Sequence, residues 1–103
     1  MKTCKQRVNS SWKNTRKDIK SYLAGDLELD SLLLSVEYIE PGTFNNKRGY
    51  HRLLFSWGGP SDELRVFSPD KVEYWFLDWH DGASIDVTND PVVQKFINNV
   101  LEL

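Results

Sequence analysis

Residues able to do acid–base or metal chemistry gather late in the chain, at Asp78, His80 and Asp81, with Asp86 and Asp90 a little downstream. A carboxylate beside an imidazole can orient it as a general base, and two carboxylates with an imidazole can hold a divalent cation. The spacing works against both. In an extended strand, alternation sends Asp78 and His80 to one side and Trp79 and Asp81 to the other, and Asp81-Gly82 is an ordinary turn dipeptide. His51 stands alone in an apolar run, the setting of a structural histidine. Ser56, in SWGGPS, lacks the G-x-S-x-G setting of a nucleophile, and Gly58-Gly59 is too short and wrongly placed for a phosphate loop. The single cysteine, Cys4, can form neither an internal disulfide nor a cysteine zinc cluster. The sequence therefore points to no catalytic set, no metal and no cofactor. A small enzyme or metal site at Asp78, His80 and Asp81 stays as an alternative.

Two other groups of residues suit binding. Tyr50, Phe67, Trp75 and Trp79 fall on one face of consecutive apolar runs, and an aromatic face of that kind marks a protein contact or an oligomer interface. Lys13, Arg16, Lys17 and Lys20 fall on neighbouring turns of an N-terminal helical pattern and could track the phosphates of a nucleic acid. The formal charge of −2 conceals an asymmetry: the first twenty residues carry seven basic side chains against Asp18 alone, and the rest carries six against fourteen acidic ones. A basic end can meet a nucleic acid or lie on the acidic body of its own fold.

These residues must be positioned by one domain, residues 1–103, since 103 residues cannot build two adequate cores. Hydrophobic residues at 40% and aromatics at 13% suit a small aromatic-rich core. Val8, Trp12, Ile19 and Leu23 recur at helical spacing and predict a helix over 5–24, stopped by Gly25, with Ser10 or Ser11 as a later starting point. Asp26–Ser31 reads as an acidic connector. Strands are predicted at 32–40, 50–57, 63–68 and 72 to about 79, with an exposed loop at 41–49 whose Phe44 either folds back or meets a partner. A brief extended segment follows through Ile85 and Val87. Asn89 or Asp90 then caps a last helix with Pro91 in its first turn and Val92, Val93, Phe96, Ile97, Val100 and Leu101 as its apolar face.

The short connections imply an antiparallel meander. The expected fold is thus α+β: a two-layer sandwich of a four-stranded antiparallel sheet with both helices on one face. Val72, Tyr74, Phe76, Leu53, Phe55, Leu64 and Val66 would face the helices. Tyr50, Leu54, Phe67, Trp75, Leu77 and Trp79 would face outward, unless the 41–49 loop or the chain after Gly82 covers them.

The runs EYIEPGTF (37–44), SWGGPSDELRVF (56–67) and VEYWFLDWHDGA (72–83) are similar to a pattern in small accessory proteins of bacterial phages, plasmids and other mobile elements. The resemblance spans residues 37–83, about half the chain. It implies an accessory protein that inhibits or regulates a host protein, and it transfers no catalytic role. With no apolar run long enough for a membrane span and no signal-peptide pattern, a cytoplasmic location is expected. The reading that follows is a non-enzymatic protein-binding module acting through the aromatic sheet face or an acidic surface, with self-association through the sheet face also open. A nucleic-acid-binding protein led by the basic helix is the alternative.

Overall fold

Helix α1 (Cys4–Leu23) starts where the sequence supplies a complete capping box, upstream of Ser10 and Ser11. Thr3 Oγ1 accepts from the Gln6 amide at 3.3 Å, and Gln6 Oε1 accepts from the Thr3 amide at 2.8 Å. Two otherwise orphaned donors are thereby satisfied. Its buried stripe is Cys4, Val8, Thr15 and Ile19. The computed structural model describes residues 3–43, 47–79 and 81–103. The acidic connector is partly helical: a single turn, α2 (Leu29–Leu32), buries Leu32 before the chain extends. The first strand is correspondingly shorter than the predicted 32–40.

The sheet has five strands, one more than the four expected: β1 (Ser35–Ile39), β2 (Tyr50–Ser56), β3 (Ser61–Ser68), β4 (Lys71–Asp78) and β5 (Asp81–Asp86), in spatial order 1-2-3-4-5. All neighbours are antiparallel, as a meander of short connections requires. The extra strand comes from the segment that the sequence left as a brief extension. It begins earlier than expected, at Asp81, with Asp78 opposite Asp81 and Glu73 opposite Asp86. Pairing along this whole length satisfies an edge of β4 that would otherwise be bare. Helix α3 (Pro91–Leu101) follows, with Asp90 as N-cap accepting from the Val92 amide at 2.9 Å.

One hydrophobic cluster unites the inner sheet face with the helices. Leu53, Leu64, Val66, Val72, Tyr74 and Phe76 pack with Val8, Ile19, Val93, Phe96 and Ile97. Helix α1 lies over β4 and β5 and touches α3. Phe96 of α3 stacks on Phe55 of β2 with centroids 6.2 Å apart. Within this layer sits a polar knot. Asp62, on β3 and 6% exposed, accepts from Thr15 Oγ1 of α1 at 2.6 Å, from Tyr74 Oη of β4 at 2.7 Å and from Ser56 Oγ of β2. Tyr74 Oη also shares a hydrogen bond with Ser11 Oγ at 2.6 Å. One buried carboxylate thus fastens the helix to three strands, and its donors meet the requirement that buried polar atoms be paired.

The outer sheet face departs from the open aromatic surface expected of it. Tyr50 and Leu54 are buried, at 1% and 6% exposure, while Phe67, Trp75 and Leu77 are half-buried. Arginines supply much of the cover. The Arg65 guanidinium lies 4.1 Å from the Trp75 ring centroid and 5.2 Å from that of Tyr50, and Arg48 lies 5.7 Å from Phe67. Planar guanidinium groups desolvate aromatic faces while keeping an edge in water, so the stack needs no second sheet. Arg65 is itself held by Glu63 at 2.9 Å.

Candidate protein-binding site

Consecutive hairpins of a meander turn at alternate ends, so the β2–β3 and β4–β5 turns share one end of the sheet. Ser61 pairs with Leu77, and the two turns come within contact: a Cβ on Gly59 would sit 3.8 Å from Asp78 Oδ1. Each turn carries an exposed tryptophan, Trp57 at 71% and Trp79 at 91%. Trp57 is the last residue of the strand predicted over 50–57. A register shift between Leu54 and Ser56 ends β2 at Ser56 and carries Trp57 out into the turn. Strand alternation likewise fails for Trp79, which occupies the turn and does not share the outer face with Trp75.

The backbone at Trp79 has φ 57°, in the left-handed region. A large side chain there costs about 1–2 kcal/mol relative to glycine, which adopts such angles freely. Asn, Asp or Gly is the ordinary occupant of such a turn. A tryptophan held in that conformation and left almost wholly in water contributes nothing visible to the fold.

The start of α1 supports this end of the sheet. The Arg7 guanidinium pairs with Asp78 Oδ2 and lies 4.7 Å from the Phe76 ring centroid. The backbone amide of Cys4 donates to Asp81 Oδ2 at 2.9 Å. That amide hydrogen bond, ahead of smaller contributions from the Cys4 side chain and the Gly82 amide, holds the Asp81 carboxyl below the usual carboxylate range. Burial pushes the Cys4 thiol up, away from the thiolate form. The carboxylates that suggested acid–base chemistry therefore anchor the helix that buttresses the turn. Asp78 and Asp81 stand directly opposite one another across the hairpin, not on opposite sides as alternation alone would place them. His80 and Phe44 lie outside the described residues. Among the described residues, no group of three His, Cys, Asp or Glu side chains is placed to hold a metal ion.

The four aromatic candidates thus divide. Tyr50, Phe67 and Trp75 share the outer face, with Tyr50 and Phe67 rings 5.2 Å apart and Arg65 bridging Tyr50 to Trp75. Trp79 stands apart from them, at the end of the sheet whose other turn carries Trp57. The four basic candidates stay together: Lys13, Arg16, Lys17 and Lys20 line one shallow surface depression along α1, with Asp26 at its rim. Arg16 is committed to the fold. Its Nε and Nη2 contact Asp90 at 2.7 and 3.1 Å, and this pairing holds the Asp90 carboxyl below its ordinary range. With Arg7 also paired, the basic helix lies partly on its own acidic body, one of the two arrangements the charge asymmetry allowed. Lys13, Lys17 and Lys20 are exposed.

No protein-family model, no curated protein and no solved structure matches this chain. Among the described residues no helix is long and apolar enough to cross a membrane.

Proposed function

We propose that this chain is a non-enzymatic protein-binding module whose contact is the tryptophan-bearing end of the sheet, with Trp79 and Trp57 as anchors. The observation that carries this reading is Trp79 itself: a bulky residue at φ 57° with 91% of its surface in solvent. Strain retained at an exposed position is retained for what the side chain meets. Tryptophan is the residue most enriched among those that dominate binding energy, because it buries a large area with few rotatable bonds. The resemblance to mobile-element accessory proteins fits a partner in the host that such a module would inhibit or regulate.

Trp79→Gly separates binding from folding, because the two effects have opposite signs. Relief of the left-handed strain should raise unfolding stability by about 1 kcal/mol in urea denaturation. Loss of an anchor should weaken partner capture from host extract by at least about 2 kcal/mol, roughly thirtyfold. Proteins retained by the wild type and lost with both Trp79→Gly and Trp57→Ala are the partners sought. A Trp79→Gly protein that is less stable than wild type, or that retains the same proteins as wild type, overturns the proposal.

A second reading rests on Lys13, Lys17 and Lys20 lining one depression. It requires nucleic-acid affinity that falls steeply with salt and with charge reversal at Lys17.

A further inference from the structure

We propose that β1 is a self-complementary edge through which two copies of this chain pair antiparallel about a two-fold axis at Val36, joining two five-stranded sheets into one of ten strands. The sheet has two edges, β1 and β5, and they are treated differently. Strand β5 carries Asp81, Gly82, Ser84 and Asp86 toward solvent, and charges and glycine on an edge discourage further pairing. On β1 the exposed side chains are Val36, Glu37 and Tyr38, preceded by Leu34; Leu34, Val36 and Tyr38 are 60%, 45% and 53% exposed. These three belong to the helix-side face, but α1 lies over β4 and β5, and α3 reaches β2 through Phe96 on Phe55. Among the described residues, β1 pairs with β2 alone.

The occupant follows from the register. In an antiparallel pair of identical strands related by a two-fold axis normal to the sheet, residues that face each other have numbers summing to an even constant, so that faces match. With the axis at Val36, Val36 meets Val36, Leu34 meets Tyr38 of the second copy, and Tyr38 meets its Leu34. On the other face Ser35 meets Glu37 and Glu37 meets Ser35. The apolar triplet thus aligns with itself, and neither carboxylate stands opposite another. Moving the axis to Glu37 would set the two glutamates face to face, which is destabilising. Moving it to Ser35 would leave Tyr38 with no apolar partner among the exposed side chains.

Two local features suit the Val36 register. Glu37 already takes a hydrogen bond from Ser35 Oγ at 3.0 Å and pairs with Arg52 at 3.1 Å, so its charge is compensated before a second copy arrives. Leu34 borders a groove of about 200 Å³ with Leu29, Leu33 and Val36, and the Tyr38 ring of the second copy would stand opposite Leu34 at its mouth. Because α1 and α3 sit away from β1, these two helices of each copy lie clear of the pairing edge, and the single turn α2 is the helical element nearest to it. This pairing leaves the tryptophan turns free, since neither lies on the β1 edge, so a dimer would present two such ends.

The test is sedimentation of the whole chain with site-directed cross-linking. A five-residue strand pair is a small interface, so wild type should be a monomer–dimer equilibrium in the micromolar range. Val36→Lys, at a position already half in water, should raise the dissociation constant by at least about tenfold through two facing ammonium groups. Val36→Cys should oxidise to a covalent dimer, because directly opposed Cβ atoms lie about 4.5–5.5 Å apart, near disulfide range. Glu37→Cys should not, because two residues of stagger put its copies beyond reach; Cys4 is buried and does not compete. A wild type that stays monomeric to about 1 mM overturns the proposal, that concentration matching only about 4 kcal/mol of association. So does growth into open-ended assemblies, which would mean that β1 pairs with another edge. Cross-linking through Glu37→Cys in place of Val36→Cys refutes the register, and undiminished association of Val36→Lys refutes the edge.

Discussion

Replacing Asp62 by alanine tests whether the buried polar knot is what fastens α1 to the sheet. The carboxylate takes three hydroxyl donors: Thr15 at 2.6 Å, Tyr74 at 2.7 Å and Ser56. Ser56 is exposed and can turn to water at little cost. Tyr74, fully buried, keeps only its bonds to Ser11 and, at 3.4 Å, to Thr15, which is itself 8% exposed. Hydrogen bonds to a charged acceptor are worth about 1.5–3 kcal/mol each; Thr15 borders a pocket of about 260 Å³ where water can take the place of the lost carboxylate, whereas Tyr74 has no such access. Against that, removal abolishes the cost of desolvating Asp62 itself. The net expected loss is about 2 kcal/mol, a sizeable part of the roughly 5–15 kcal/mol that stabilises a small domain. Urea unfolding followed by tryptophan fluorescence would read it as a lower midpoint with unchanged slope. Thr15→Val in a double-mutant cycle should show coupling of about 1 kcal/mol or more, because the pair shares one bond. An Asp62→Ala protein within about 0.5 kcal/mol of wild type would refute the reasoning, since a change that small is typical of an ordinary surface site.

Two further outcomes follow from buried groups. Burial is the chief cause pushing the phenols of Tyr74 and Tyr50 up from their ordinary value. Both keep their protons in the folded state while the unfolded chain releases them above about pH 10, so stability is whole below that pH and falls as pH rises toward the folded values, by up to about 2.7 kcal/mol per pH unit for the pair. Tyr74→Phe should roughly halve that alkaline slope in denaturation series run between neutral and strongly basic pH. Arg65→Ala should cost about 3 kcal/mol in urea unfolding, because it strands the Glu63 carboxylate, 3% exposed, without its 2.9 Å partner. Combining it with Glu63→Gln should recover part of the loss.

Periodicity made the helices and most strand faces legible. Val72, Tyr74 and Phe76 fall inward as alternation requires, and Val8 and Ile19 keep the helical stripe. Alternation failed where the chain stops being a regular strand. The shift after Leu54 and the tight turn at Trp79 each moved a tryptophan off the face its number implied; Gly58-Gly59-Pro60 and Asp81-Gly82 mark turns nearby, but they do not say which residue is the last of the strand. Asp62 falls just outside the strand predicted over 63–68 and Glu63 at its first position, where carboxylates look solvated. Only the folded chain shows Thr15, Tyr74 and Arg65 arriving from elsewhere to pair with them. Tyr50 posed the converse problem: its outward register was right, but cover by arginine side chains cannot be read from hydropathy, which counts arginine as solvent-facing.

The two exposed surfaces have a common origin in how the helices sit on the sheet. Helix α1 is tied at its start to the β4–β5 hairpin, through Arg7 to Asp78 and the Cys4 amide to Asp81. Farther along it is tied through Arg16 to Asp90, at the head of α3. Those anchors draw α1 over β4 and β5, and α3 follows it by packing Phe96 against Tyr22 and Phe55. Five strands at about 4.8 Å spacing make a sheet about 19 Å across between its outer strand axes, which two helices about 10 Å wide would just span if centred; with α1 over β4 and β5 the pair is displaced toward one edge. The strand left over is β1. The same contacts that brace the turn presenting Trp79 therefore leave Leu34, Val36 and Tyr38 in water. Arg7→Ala and Arg16→Ala should for that reason disturb the tryptophan end before they disturb β1, because the edge owes its exposure to the absence of a helix.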